Sequence, residues 1–413
     1  MLLGIDSFDD RTTRLEGRYI WTPGIYQYNI QEGRKYDSLS NAEKAMSIFN
    51  SGLGNDTKTA EFGTYKRYVA TPSVTAASEL IVGFDVRNRE DTGSIVDTEV
   101  AGASYYQAPN TTLRCAVVPR TSGALRFYPG RPPLTSIAEE TAAGVILPDV
   151  WQYIEIKFSQ TSGITVRREG SVVFESSEPP SSLFGGAFSG FTQAGMAFRR
   201  FGLVGWRYDN LYVLDPTSGR YSSFLGPVRN FRSWPKYTVE GSSAALSLVN
   251  EHYDDTSGTV AGGVPNVTGY HTMSPSDRLL FKFQHYRPFG RTYAIQLNAW
   301  VDVASPRVQD GSIRFVAKSP TGNYYYSAAQ PVRYNYLQYS PFAGAPDPTW
   351  TWTNVFALWE NDPETNEDWS GEALLDWAFG IICDTPVQVR VATLALERMC
   401  AVGSGTFSIF DVQ

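Results

Sequence analysis

The sequence predicts an all-β protein built from two β-sandwich domains. Aromatic residues make up 14% of the 413 residues, charged residues only 19%, and 36 glycines and 24 prolines punctuate the chain. Many aromatic and β-branched residues separated by turn-forming residues are typical of short strands joined by tight turns. Because an ordinary domain has roughly 150–200 residues, a chain of this length is expected to form two.

Strand patterns run through the first half of the chain. In residues 153–158 (YIEIKF) three apolar side chains alternate with three others, which places one face of a strand on a core and the other in water. Residues 164–168 and 171–175 flank Glu169-Gly170, the pattern of a β-hairpin. Further strands are predicted at 79–86, 113–118, 196–204 and 206–215.

A cluster of turn formers, PTSG at residues 216–219, ends this block. It predicts a first domain of residues 1–217, a linker of residues 218–223 and a second domain of residues 224–413. The second domain is also rich in strands, which are predicted at 279–283, 293–301, 313–317 and 387–394.

Two stretches interrupt the strand pattern. Residues 40–49 are compatible with a short helix, and residues 370–380 make a stronger case. Ser370 suits the N-cap of a helix and Gly380 the left-handed residue that ends one. We therefore expect a short helix on the C-terminal side of the second sandwich.

Charge, hydropathy and cysteine content exclude several classes of protein. The net charge is −7 and the basic residues are scattered, so we expect no nucleic-acid partner. No apolar run approaches 18 residues and residues 1–10 do not resemble a signal peptide, so we expect neither membrane insertion nor signal-peptide secretion. Cys115, Cys383 and Cys400 form no CxxC pair and are expected to be buried thiols, with a Cys383–Cys400 disulfide left open.

The sequence shows no pattern of a known catalytic centre. Only three histidines occur, and no HExxH, GxSxG or phosphate-binding loop is present. We therefore predict no catalytic residues, no cofactor and no enzyme activity. A two-carboxylate glycosidase stays open as an alternative, with Asp85, Glu155 and Asp209 among its candidate acids.

An acidic stretch at residues 360–369 (ENDPETNEDW) gives a weak calcium hypothesis. Four oxygen-bearing side chains alternate there, as calcium ligands can. The alternative is an Asp-Pro turn in a solvated loop. The candidate ligands are Asp362, Glu364, Asn366 and Asp368.

Tyrosines occur in short groups. An exposed tyrosine offers a large, rigid contact area with a polar tip, which suits protein interfaces and sugar stacking. The alternative is packing at the rims of strands. The candidate interface residues are Tyr105, Tyr106, Tyr324, Tyr325, Tyr326 and Tyr336.

The first half resembles the concanavalin-like (laminin-G-like) jelly roll. The residues that carry the resemblance are WQYIEI at 151–156, the hairpin through Glu169-Gly170, and WRYDNLYV at 206–213. The resemblance implies a jelly-roll fold for the first domain. It does not imply a sugar site, since many such domains have none.

The second half resembles the second half of many tailed-bacteriophage virion proteins. It opens with FLGPVR at 224–229, continues with IQLNA at 295–299, and ends with DPETNEDWS at 362–370 followed by FGI at 379–381. Asn366 stands where that family usually has glycine, and asparagine also tolerates the left-handed conformation. The resemblance implies a structural subunit of a phage particle, of the tail or fibre type, and carries no catalytic residues across.

The sequence therefore predicts a virion structural protein of the tail, baseplate or fibre, made in the host cytoplasm and assembled into the virion. Its expected partners are other virion proteins, further copies of itself in a symmetric oligomer, and a glycan of the host surface. The alternatives are a lectin-like receptor binder, a glycan-degrading enzyme, and a capsid decoration or head fibre.

Overall fold

The computed structural model of the chain describes a large part of its residues. These are residues 1–6, 19–20, 28–32, 44–48, 64–65, 67–68, 77–88, 101–107, 112–120, 122–129, 136–148, 150–186, 190–191, 193–198, 206–217, 219–249, 270–283, 291–304, 310–332, 353–371 and 373–402.

Strands dominate the described part of the chain up to residue 214, with one four-residue helix. The elements are β1 Leu2–Asp6, β2 Tyr19–Ile20, β3 Tyr28–Glu32, β4 Lys44–Ile48, β5 Thr64–Tyr65, β6 Arg67–Tyr68, β7 Glu79–Asn88, β8 Ala101–Gln107, β9 Thr112–Pro119, β10 Leu125–Tyr128, β11 Glu139–Glu140, β12 Trp151–Ser159, β13 Gly163–Arg168, β14 Ser171–Glu175, α1 Pro180–Leu183, β15 Gln193–Phe198 and β16 Trp206–Leu214.

The later part of the chain continues in the same way. Its elements are β17 Val228–Ser233, β18 Pro235–Glu240, α2 Ala245–Val249, β19 His271–Met273, β20 Arg278–Phe283, β21 Thr292–Val303, β22 Gly311–Lys318, β23 Tyr324–Tyr326, β24 Gln330–Val332, β25 Thr353–Trp359, a 3-10 helix Ala373–Leu375, β26 Ala378–Cys383 and β27 Val389–Ala401.

Four large sheets contain nearly all of these strands. Sheet I has the order β14-β13-β12-β7-β16-β4-β3, with β1 also paired to β16, and sheet II has the order β11-β10-β9-β8-β15-β5. Sheet III has the order β17-β27-β21-β25, with β19 paired to β27. Sheet IV has the order β18-β20-β26-β22-β23, with β24 paired to β22. Strands β2 and β6 form a separate pair.

Two hydrophobic cores confirm the predicted all-β sandwich class. One core lies between sheets I and II and includes Phe84, Phe127 and Phe158. The other lies between sheets III and IV and includes Leu297 and Phe315. Sheets I and II use strands up to β16 and sheets III and IV use strands from β17 onward, while the exact boundaries 1–217, 218–223 and 224–413 remain the predicted division.

The predicted hairpin is present with the expected turn. Arg168 faces Ser171 across β13 and β14, which leaves a two-residue loop. Both loop residues have positive φ, 49° at Glu169 and 81° at Gly170. This is the pattern of a type I′ turn, whose twist matches that of the strands it joins.

The two predicted helices differ from the observed elements. Residues 44–48 form strand β4, which pairs with β3 and β16, so the short helix at 40–49 is wrong in this part. Ser370 does accept a hydrogen bond from the Ala373 N–H, but the helix stops at Leu375 and Gly380 lies inside β26. Residues 378–383 form a strand because β26 pairs with β20 on one side and with β22 on the other. These pairings supply hydrogen-bond partners for its backbone N–H and C=O groups.

The cysteines behave as buried thiols. Cys115, Cys383 and Cys400 are all buried and free, so no Cys383–Cys400 disulfide forms. Burial raises the pKa of each thiol. Within the described residues, no helix combines the length and apolar character needed to cross a membrane.

A third apolar cluster joins the two sandwiches, and we call it the junction. It forms between the outer face of sheet I, with Tyr153 and Tyr212, and the outer face of sheet III, with Ala294 and Met399. The four sheets therefore stack in the order II, I, III, IV. The buried members of the junction are Leu2, Ile5, Ile81, Tyr153, Tyr212, Leu214, Tyr221, Val228, Ala294 and Met399.

Gly83 makes room for a junction tyrosine, which gives a test of the packing. A Cβ at Gly83 would lie 2.1 Å from Cε1 of Tyr212, so the Tyr212 ring would have to leave its place. We expect Gly83→Ala to lower the free energy of unfolding by about 1–3 kcal/mol, the usual cost of overpacking. Denaturant unfolding of the full chain measures it.

The matched control is Gly311→Ala, also in a strand, where the added Cβ would meet only methyl groups at 3.2 Å or more. We expect a smaller change there. Equal stability losses in the two variants would contradict the close packing of Tyr212 on Gly83.

Candidate functional site

The acidic stretch forms a tight, internally bonded loop. The Asp362 carboxylate accepts the N–H groups of Glu364 at 2.8 Å and Thr365 at 3.3 Å, which is an Asx turn. Asn366 has φ 61° and donates its N–H to the Asp362 carbonyl at 2.8 Å. The left-handed conformation expected at Asn366 is therefore present.

The other acidic side chains of the loop bind elsewhere in the protein. Glu364 accepts hydrogen bonds from Ser319, Thr321 and Asn323, and the bond from Thr321 does most to hold its pKa below the usual value. Asp368 pairs with Arg220 at 2.5 Å and Arg291 at 2.6 Å.

The three acidic calcium candidates, Asp362, Glu364 and Asp368, therefore bond to different groups. In the part of the chain that the structure describes, no group of three His, Cys, Asp or Glu side chains is arranged to hold a metal ion. The calcium site stays a prediction. The observed contacts give this loop a structural role, because they connect it to neighbouring segments.

The candidate glycosidase acids lie inside the junction. Asp85, Glu155 and Asp209 are all buried, with at most 3% of each residue exposed. Asp85 accepts a hydrogen bond from the Asn210 side chain at 2.8 Å, and Asp209 accepts the Asn210 N–H at 2.8 Å. A glycosidase needs two acids on an open face, whereas these three are buried.

Asn210 is the centre of one polar contact across the junction. It has φ 49° and lies where the pairing of β16 with β7 is irregular, so its side chain turns toward sheet III. Its Oδ1 accepts the N–H of Asn230 at 2.8 Å, and the Asn230 side chain donates to the Leu211 carbonyl at 3.0 Å. Strands β16 and β17 are thereby bonded to each other across the interface.

Glu155 holds the start of the second domain. Its Oε1 accepts hydrogen bonds from the Tyr212 hydroxyl, from Leu225 N–H at 3.1 Å and from Gly226 N–H at 2.9 Å. Burial raises the pKa of the Glu155 carboxyl, and these bonds together with the nearby Arg167 charge only partly oppose that effect. Burial also raises the pKa of Tyr212 well above its usual value.

Gln296 covers the free backbone edge of the first strand. Its Oε1 accepts the Ile5 N–H at 3.1 Å, and its Nε2 donates to the Ile5 carbonyl at 2.9 Å. The same Nε2 reaches Asn298 at 2.9 Å and Glu397 at 3.2 Å. One buried side-chain amide thus makes the two hydrogen bonds to Ile5 that a neighbouring strand would otherwise make.

The predicted interface tyrosines separate into three groups. Tyr105 and Tyr106 lie in β8, paired with β15, and their side chains are outside the described part, as is all of Tyr336. Tyr325 packs inward, with its ring centroid 5.8 Å from that of Trp377. Tyr324 and Tyr326 point to the opposite face of sheet IV, away from the core.

Tyr324 and Tyr326 belong to a network that we call the tyrosine face: Glu240, Arg278, Lys318, Tyr324 and Tyr326. The two rings stack with centroids 6.4 Å apart and planes 18° apart, and the Arg278 guanidinium lies 4.3 Å from the Tyr324 centroid. Arg278 also donates to the Tyr326 hydroxyl at 3.2 Å. Glu240 accepts hydrogen bonds from Arg278 at 3.2 Å, from Lys318 at 2.6 Å and from Tyr324.

The network keeps its charged groups ionised. Partial burial raises the pKa of Glu240, but hydrogen bonds from Lys318, Tyr324 and Arg278 outweigh it and leave the pKa lowered. The hydrogen bond to Glu240 raises the pKa of Lys318. Burial lowers the pKa of Arg278, and the neighbouring tyrosine and Glu240 more than compensate for it.

The sequence indicates only two of the five residues of this network, Tyr324 and Tyr326. The run Tyr324, Tyr325, Tyr326 is visible as a cluster, and the period of two in a strand predicts that the first and third share a face. Glu240, Arg278 and Lys318 come from β18, β20 and β22, and nothing in the sequence brings them together.

Comparisons with known proteins give weak similarities only. No protein-family model and no curated protein matches the chain. Among solved structures, the cellulose-induced protein Cip1 is 11% identical with a TM-score of 0.36, over 54% of this chain and 99% of that one. A carbohydrate esterase from a Shiga toxin-encoding bacteriophage is 11% identical with a TM-score of 0.29, over 45% of this chain and 88% of that one.

The tandem CBM22 domains of Xyn10C from Paenibacillus barcinonensis match along most of both chains. They are 9% identical with a TM-score of 0.24, over 97% of this chain and 98% of that one. At identities and TM-scores this low, what those proteins bind or hydrolyse does not transfer to this chain.

Glu155 gives a pH-dependent test of the junction. Because its folded pKa is raised above 4.5, folding favours the protonated form, and its contribution to stability falls as pH rises from 4.5 through the folded pKa. Glu155→Gln keeps an oxygen acceptor and cannot ionise. We expect the variant to gain stability relative to the wild type as pH rises from 4 to about 8, measured by denaturant unfolding.

The companion variant Glu155→Ala removes the acceptor for one hydroxyl and two backbone N–H groups. We expect it to be about 1–3 kcal/mol less stable than Glu155→Gln at every pH, because buried donors are left unpaired and neither variant can ionise. A stability difference between Glu155→Gln and the wild type that does not change with pH would show that Glu155 is not the buried titrating group.

Proposed function

We propose that the chain is a structural component of a tailed-bacteriophage particle, a tail, baseplate or fibre protein that acts through protein interfaces in the virion. The proposal is carried by the positions of the motifs that resemble those of such proteins. They build the junction and the loop packed beside it, and they contribute nothing that resembles an active centre.

The motif that opens the second half docks on the first sandwich. Leu225 and Gly226 bind Glu155 through their backbone N–H groups, and Val228 is buried in the junction. The Phe224 ring is contacted by the Arg167 guanidinium, 4.2 Å from its centroid. This opening motif therefore attaches one sandwich to the next.

The second motif, residues 295–299, alternates between the core and the junction. Ile295, Leu297 and Ala299 belong to the core between sheets III and IV. Gln296 and Asn298 face the junction, where Gln296 binds Ile5 and Asn298. The polar positions of this motif therefore have a structural purpose.

The last motif ends in an aromatic cluster. Trp369 lies 5.2 Å from Trp377 and 6.0 Å from Phe379 between ring centroids, and its indole N–H donates to the Trp359 carbonyl at 3.2 Å. These contacts pack the acidic loop onto the second core. They support a durable scaffold, which a particle protein needs more than a reaction site.

Co-purification with particles tests this proposal. We expect the full chain to remain with intact particles through a density gradient when the phage or prophage that encodes it is induced. Quantitative mass spectrometry of those particles should give a copy number that fits a cyclic symmetry. Labelling with an antibody against the chain should then place it on the tail or its attachments.

A chain that is abundant in the lysate and absent from gradient-purified particles would refute the virion assignment. Labelling confined to the capsid would instead support the alternative of a capsid decoration or head fibre.

A further inference from the structure

We propose that the tyrosine face is a glycan-binding site, in which the Tyr326 ring stacks on a sugar and Arg278, Lys318 and Glu240 bond its hydroxyl groups. The site lies on the outer face of sheet IV, on the far side of that sheet from the junction. The proposal does not depend on the virion assignment, because it concerns what the isolated chain binds.

The face has an apolar floor that lies beneath its polar groups. Leu280, Val316 and Ala378 point outward from sheet IV and are buried as a small cluster, with Tyr324 and Ile382 packed against it. Gly380 lies between Leu280 and Val316 and adds no side chain there. The polar network of Glu240, Arg278 and Lys318 reaches across these strands and is held in place by its own bonds.

An aromatic ring is exposed at the edge of this floor. Tyr326 is 44% exposed, while its neighbour Tyr324 is held by Arg278 on its face and Glu240 on its hydroxyl. Tyr237, on the opposite edge strand β18, is 59% exposed. An immobilised ring beside fixed polar groups is the arrangement that a ligand with an apolar face and a hydroxylated rim requires.

The charges favour a hydroxylated ligand over a protein. Further ion pairs flank the network on the same sheet, Arg314 with Asp384 at 2.6 Å and Lys282 with Asp376 at 3.7 Å. Burying such pairs under a protein surface costs desolvation that their attraction often fails to repay. Sugar hydroxyl groups form hydrogen bonds as water does. A bound glycan can therefore replace the water molecules around these charged side chains without leaving them unpaired.

One edge of sheet IV disfavours an extended peptide as the occupant. Strand β18 forms this edge, and its pairing with β20 is irregular between Pro235 and Tyr237 and again between Thr238 and Glu240. Irregular edges of this kind interrupt the row of backbone groups that strand addition uses. Strand addition at β18 is therefore disfavoured.

The test measures binding of the full chain to a printed panel of bacterial lipopolysaccharide O-chains, capsular polysaccharides and teichoic acids. We expect at least one glycan to bind, and titration calorimetry with that glycan gives the wild-type affinity. Tyr326→Ala should weaken it by about tenfold or more, as expected for the loss of a central aromatic contact. Tyr326→Phe, which keeps the ring, should weaken it by no more than about threefold.

The matched control is Tyr270→Ala, since Tyr270 is also a surface tyrosine, 41% exposed, and lies next to β19 of sheet III. It should bind as the wild type does. Lys318→Ala provides a second variant of the site, and circular dichroism melting of each variant checks that the fold is kept.

Three results would overturn the proposal. The first is that no glycan of the panel binds, and the second is that Tyr326→Ala and Lys318→Ala bind as tightly as the wild type. The third is that Tyr326→Ala abolishes association with another protein or a second copy while no glycan binds, which would make the face a protein interface. None of these results bears on whether the chain co-purifies with particles, so the two proposals fail separately.

Discussion

The stack of four sheets depends on the polar interface that is buried between sheets I and III. The outer faces of sheets I and III carry tyrosines, amides and carboxyl groups that a single sandwich would leave in water, yet Glu155 is 1% exposed and Glu397 is fully buried. Each such group must find a partner when it leaves water, because an unpaired one costs about 1–3 kcal/mol. Gln296 on Ile5 and Glu155 on the N–H groups of Leu225 and Gly226 meet this requirement across the interface, and Arg232 meets it for Glu397 at 3.3 Å within sheet III. The positions of the two sandwiches are therefore fixed by hydrogen-bond geometry as well as by apolar area.

The burial of polar groups between sheets I and III explains which features of the strands could be predicted from the sequence. The period of two in residues 153–158 correctly predicts a strand with Ile154, Ile156 and Phe158 on a core. It also predicts that Tyr153 and Glu155 face water, and that is where it fails, because sheet III covers them. Alternation reports only that the two faces of a strand differ. It contains no information about a second domain that lies on the polar face.

The same reasoning applies to the elements and to the candidate site. Residues 370–380 carry helix caps, but residues 378–383 are the central strand of sheet IV, and pairing on both sides outweighs local propensity. Tyr324 and Tyr326 are visible in the sequence because they are adjacent along one strand. Glu240 is separated from Lys318 by 78 positions, and no local pattern could connect the two. The sequence therefore predicts features that neighbouring residues specify. Features that depend on pairing between distant residues are seen only in the structure.

The junction and the tyrosine face use similar groups in opposite surroundings, and their electrostatics differ accordingly. Both contain a glutamate that accepts a tyrosine hydroxyl. In the junction no cation among the described residues is bonded to Glu155, and burial raises its pKa. On the tyrosine face Lys318 and Arg278 bond Glu240 directly, and its pKa is lowered. The buried carboxyl is thus suited to holding neutral backbone donors in a fixed interface, whereas the partly exposed one is stabilised in its charged form. Because the outer face of sheet III packs on sheet I, the described part of the second sandwich presents the outer face of sheet IV, with Tyr326 44% exposed, to solution.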